Sequence, residues 1–144
     1  VRGICCLKVG IPGVSENISV RSIVGNFLEH SRIFYFANDD HYEIYCGSAD
    51  WMPRNLERRV EILFPVDRPE LKEELLHILN SQLKDNVKAS ILQPDGNYEK
   101  QDKRGKLLFN SQDAFCLEAI QKAKEAAGES AIESRTFIPE THHE

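Results

Sequence analysis

The stretch HSRIFYFANDDHYEIYCGS, residues 30–48, decides the fold. Its two runs rich in aromatic and aliphatic residues, 32–36 and 42–48, flank the polar segment Ala37-Asn38-Asp39-Asp40-His41. Such runs about a turn signal predict a β-hairpin. One hairpin therefore separates an H-x-R triplet, His30 to Arg32, from a G-S-x-D segment, Gly47 to Asp50.

Working outward, Ser19 or Ser22 is placed to cap a short amphipathic helix ending near Glu29-His30. Before it lie strand-like RGICCLKV and the Gly/Pro loop GIPGVSEN. After the hairpin, ADWMPRNLE reads as an irregular turn or short helix, with Pro53 in its first turn, and RRVEILFPV as a strand ended by Pro65. Leu71, Leu75, Ile78, Leu79 and Leu83 recur at helical spacing, so 68–84 is an amphipathic helix with Leu75 and Leu79 buried. KASILQ is a short strand closed by the PDGN turn. SQDAFCLEAIQKAKEAAG begins with a cap and ends at Gly128 as a last helix. Alternating strands and helices predict an α/β fold, layered α/β/α, whose sheet is mixed because of the hairpin. A domain over 1–128 and a polar tail over 129–144 complete the division.

With 144 residues, 41% of them hydrophobic and 28% charged, the chain is long enough for a real core. No apolar run approaches the roughly 18–20 residues that span a bilayer, and no signal peptide opens it. The chain starts in strand-like sequence without Met, as a piece of a longer polypeptide would. Cys5, Cys6, Cys46 and Cys116 lack metal-ligand spacing and read as small hydrophobes of a reducing cytosol.

A net charge of −5 argues against a general nucleic-acid binder. The basic residues are unevenly distributed. Through residue 66 they are Arg2, Lys8, Arg21, Arg32, Arg54, Arg58 and Arg59, whereas beyond it lysine predominates. Arginine forks bind phosphate or carboxylate bidentately, while lysine is a solvated point charge. The first half is thus equipped for an oxyanion. Each candidate has a plainer reading: His30 as a helix C-cap favoured by the macrodipole, the arginines as solvated strand residues, and Phe34-Tyr35-Phe36 as core. His41 and His77 read as surface positions. Asp50 is suited to orienting an Arg or His.

The H-x-R and Gly-Ser pair resembles a degenerate phospholipase D signature, H-x-K followed by a Gly-Ser turn. Arg32 replaces the lysine, and Ala37 holds the place of the acidic residue. VRGICCL (1–7), SENISVRSIVGNFLEHSRIFYF (15–36) and GSADWMPRNLERRVEILFPV (47–66) closely resemble the second catalytic domain of bacterial polyphosphate kinase. That family is the long-chain enzyme built on two phospholipase D-like domains. Weaker similarity continues through LNSQLKDNVKASILQPDGNY (79–98) to about residue 128.

The resemblance implies part of an ATP:polyphosphate phosphotransferase. A histidine in the preceding domain takes the γ-phosphate of ATP and passes it reversibly to polyphosphate. Nucleotide contacts match Arg2 and His30, with His30 the catalytic candidate. Arg32, Ser48, Arg54 and Asn55 extend an anion cradle by inference from their chemistry. Mg2+ is held mainly by the preceding domain, with no metal ligand assigned on this chain. ATP or ADP, polyphosphate, the rest of the same polypeptide and a homo-oligomer are the implied partners, without specific nucleic acid. The implied location is cytoplasmic or peripheral to the inner membrane face. The competing readings are a non-catalytic polyanion-binding module and a degenerate phospholipase D-like phosphodiesterase half-site.

Overall fold

A computed structural model of the chain describes residues 5–129. Its order is β1 Arg21–Ile23, β2 Ile33–Phe36, β3 Glu43–Gly47, α1 Pro53–Arg58, β4 Leu63–Pro65, α2 Pro69–Lys84, β5 Ala89–Leu92, β6 Tyr98–Lys100 and α3 Ser111–Glu129. The α/β class holds. Where one mixed sheet was expected, the described strands form two three-stranded sheets, ordered β1-β5-β6 and β2-β3-β4, with every pairing antiparallel.

The expected hairpin forms, pairing Ile33 with Cys46 and Phe36 with Glu43. Its turn places Asn38, Asp39 and Asp40 at φ of 44°, 50° and 67°, a left-handed run that Asn and Asp tolerate better than other side chains. Ile44 points into the core at 1% exposure. Tyr35 stacks on Tyr42, and Phe36 meets Tyr45 edge-on. β4 closes the sheet with Pro65 opposite Tyr45, and an edge strand accommodates a residue without an N–H.

Two expectations upstream of the hairpin are overturned. No helix leads to His30: Arg21–Ile23 is a strand paired with Ile91–Ala89, and residues 24–32 carry no helix or strand. The β-branched residues around it pair with a distant strand, and that ladder overrides a weak local helical pattern. Residues 5–9 form no strand either; the first three residues of the expected strand, Arg2 to Ile4, lie outside the described ones.

The helix expected over 68–84 forms as α2, Pro69–Lys84, with Arg68 at its N-cap. Its apolar stripe is less covered than predicted: Leu75, Ile78 and Leu79 are half-buried, Leu71 and Leu83 are exposed, and Ser81 is the buried residue. Arg21 supplies the helix end, donating to the carbonyls of Leu83 and Asp85, which answers part of the need of unpaired C-terminal carbonyls. This arginine serves the fold.

After α2, the PDGN turn has Gly96 at φ 90° and joins β5 to β6, a strand the sequence did not announce. Val9, Val20 and Leu92 form a small core cluster with Cys5 against it. Asp85, fully buried, ties three segments together. Its Oδ1 accepts from the N–H groups of Val87, Lys88 and Ala89, and its Oδ2 from the N–H and hydroxyl of Ser111. Burial opposes ionisation, but these hydrogen bonds outweigh it and hold the carboxyl below its ordinary range. The chain divides into compact units Val1–Gln112 and Asp113–Glu144. α3 starts with Asn110 capping the N–H of Gln112 and runs past Gly128 to Glu129.

Candidate active site

Ladder bonds assemble the site. The N–H of Gly47 donates to the carbonyl of Arg32 at 3.1 Å, and that of Ser48 to Ile62 at 3.0 Å. The end of β3 therefore lies beside the start of β2, with the segment before β4 on its other side. Space at Gly47 is tight: a Cβ there would lie 3.2 Å from the Ile62 carbonyl oxygen and 3.3 Å from the Phe34 ring. Phe34 in turn stacks on Trp51, ring centroids 5.4 Å apart, and so braces the turn that follows Ser48.

Arg32 is the hub. Its Nε donates to Asp50 Oδ1 at 2.8 Å, while Nη1 lies 3.0 Å from His30 Nδ1 and also donates to the His30 carbonyl. A guanidinium has only donors, so His30 Nδ1 accepts and the ring proton resides on Nε2. The imidazole, exposed to solvent, thereby has an Nε2–H to offer a ligand. The hydrogen bond from Arg32 holds the Asp50 carboxyl below the usual carboxylate range, with the positive fields of Arg32 and Arg54 adding to it. The same bond raises the Arg32 pKa further, and Glu61 contributes. Asp50 thus takes the orienting position proposed from sequence.

The remaining candidates separate. Ser48 donates to the Glu61 carboxylate and accepts from the Ile62 N–H at 3.0 Å. Arg54 is exposed and near enough to influence Asp50 electrostatically. Asn55 is buried at 3% exposure beneath the turn. Its Nδ2 donates to the Asp50 carbonyl at 3.0 Å, and its Oδ1 has no hydrogen-bond partner among the described residues. Arg2 lies outside the described residues. Glu61 was missed because nothing in RRVEILFPV marks one carboxylate among surface charges; only pairing across the sheet carries it to Ser48.

A cleft of about 280 Å³ is lined by His30, Arg32 and Gly47 together with apolar Cys46, Phe64, Leu75 and Ile78. Burial pushes the Cys46 thiol pKa up, which disfavours a reactive thiolate. A second cleft of about 420 Å³ includes Asp40, Glu43 and Asp67 with Lys72; it takes in the hairpin turn, at the end remote from His30. Among the described residues no three His, Cys, Asp or Glu side chains gather as a metal site.

Residues 1–112 match the family model described as polyphosphate kinase C-terminal domain 2. The chain belongs to the polyphosphate kinase family. It is 49% identical to polyphosphate kinase of Lactiplantibacillus plantarum over 141 residues, which cover 96% of this chain and 20% of that protein. To polyphosphate kinase 1 of Chlorobaculum tepidum it is 56% identical over 124 residues, 86% of this chain and 18% of that protein. The crystal structure of polyphosphate kinase from Porphyromonas gingivalis superimposes with a TM-score of 0.77 at 39% identity, covering 87% of this chain and 19% of that one. The chain thus spans about a fifth of the length of these relatives. Within this phospholipase D-like family, the His30–Arg32–Asp50 group and the Gly47-Ser48 turn lie inside the matched domain.

Proposed function

We propose that this chain forms one wall of the active site in an ATP:polyphosphate phosphotransferase, with His30 as its catalytic group. A single observation carries the reading: Asp50 fixes Arg32, and Arg32 occupies Nδ1 of the exposed His30, which leaves its proton on Nε2. In phosphoryl transfer the reacting group's charge spreads over its oxygens, so positioned donors provide most of the catalysis. The Nε2–H donates to a phosphate oxygen and stabilises charge as the γ-phosphoryl leaves ADP for a histidine on the rest of the polypeptide. In the next step that histidine releases the group to the end of polyphosphate. Arg2 forks onto the nucleotide phosphates, and Arg32 and Arg54 add positive field. Ser48 and Asn55 shape the turn, and Ser48 completes the rim of the cradle.

Mg2+ would be held mainly by the rest of the polypeptide, where it would neutralise phosphate charge. Asp50 and Glu61 beside Arg32 favour a catalytic wall over a bare polyanion-binding module, because two carboxylates weaken simple attraction of an anionic chain. No described helix is long and apolar enough to cross a membrane. We place the protein in the cytoplasm or at the inner membrane face, as a homo-oligomer acting on ATP, ADP and polyphosphate, without specific nucleic acid.

The test is His30→Ala in the full-length enzyme carrying this sequence. Loss of a positioned proton donor should reduce kcat about 10²–10⁴-fold with folding intact. A folded variant with near-normal turnover refutes the role.

A further inference from the structure

We infer that Gln112 is a positioning residue that, with Gln82, clamps the loop presenting His30; the inference rests on the function proposed above. Residues 24–32 have no helix or strand, so no ladder holds the segment before His30. Gln112 substitutes for one. It is 4% exposed, and its amide serves both backbone groups of Phe27: Nε2 donates to the Phe27 carbonyl at 2.8 Å, and Oε1 accepts from the Phe27 N–H at 3.1 Å. The same Nε2 donates to Glu29 Oε1 at 2.9 Å, and Gln82 on α2 donates to Glu29 Oε2 at 3.1 Å.

The loop is shaped to receive this side chain. A Cβ on Gly25 would fall 2.9 Å from Gln112 Cδ, closer than such atoms pack, so a glycine lets the amide lie over the loop. His30 is then bracketed: Glu29 immediately before it is held by two glutamines, and Arg32 two residues after it is held by Asp50. An exposed imidazole between two fixed residues is confined to a small volume without being buried. Positioning is the contribution phosphoryl transfer needs, and a misplacement of about 1 Å can reduce a rate about 10²-fold.

Only a primary amide has the donor and acceptor that this geometry uses. Gln112→Met keeps length and volume while removing both. In the 144-residue chain, amide hydrogen exchange of Phe27 in Gln112→Met should accelerate about 10-fold or more, while that of Leu92, bonded to Val20, should be unchanged. In the full-length enzyme the same substitution should reduce kcat about 10–100-fold with the KM for ATP within about threefold. Gln82→Met, which frees only one Glu29 oxygen, should give a smaller kcat loss and serves if Gln112→Met does not fold. Unchanged Phe27 exchange overturns the clamp. So does normal kcat in Gln112→Met where His30→Ala is inactive. An active His30→Ala enzyme refutes the proposed function instead, and Phe27 exchange still decides the clamp.

Discussion

Replacing Asp85 should destabilise the chain more than any substitution of an apolar side chain on α2. The carboxylate is fully buried and accepts five hydrogen bonds at 2.7–3.1 Å, three on Oδ1 and two on Oδ2. Asp85→Ala leaves four backbone N–H groups and a hydroxyl to find water. Hydrogen bonds to a charged group contribute about 1.5–3 kcal/mol each, but removing the ion also removes its desolvation penalty, and water entering the space restores part of the rest. The net loss should be about 3–5 kcal/mol, against a total stability of about 5–15 kcal/mol for a domain. Asp85→Asn should lose about 2–3 kcal/mol: its oxygen can still serve residues 87–89, while its NH2 meets the Ser111 N–H, donor against donor. Urea unfolding at pH 7 measures both, provided the slope is unchanged. The pH dependence is a second check. The folded carboxyl titrates below its ordinary range, so its contribution is complete above the unfolded pKa of about 3.9 and disappears as pH falls through the lower folded value. The difference between the parent chain and Asp85→Asn should therefore narrow in acid. A loss below about 1 kcal/mol at pH 7 for Asp85→Ala would refute the account.

Arg32→Lys in the full-length enzyme keeps the charge but cannot bond Asp50 and His30 Nδ1 in one plane; kcat should fall about tenfold or more, read in steady-state kinetics. Gly47→Ala forces a Cβ against the Ile62 carbonyl and the Phe34 ring and should destabilise by about 1–3 kcal/mol in urea. Leu79→Ala removes a half-buried side chain, so the melting curve should show a loss of about 1–2 kcal/mol, below the 2–5 kcal/mol typical of fully buried leucines.

Sequence alone determined the parts whose signals are local. Alternating apolar runs about Asn38-Asp39-Asp40 specified the β2–β3 hairpin, and that hairpin already implied the meeting of H-x-R with Gly-Ser. The spacing of Leu71, Leu75, Ile78, Leu79 and Leu83 specified α2, although not how little of its stripe would be covered. Tertiary structure decided what depends on distant partners. Arg21–Ile23 is a strand because Ala89–Ile91 lies alongside it, and Arg21, one of several arginines suited to an oxyanion, is taken up by the carbonyls that end α2. Asp50 could be suggested as an orienting group from its place in the turn, but the tautomer of His30 follows only from the Arg32 geometry. Gln112 gave no sign at all, since a glutamine at the start of a helix reads as surface. Its partners Phe27 and Glu29 lie 85 and 83 positions earlier in the chain, and the loop carrying His30 is ordered by an amide whose partners only folding brings within reach.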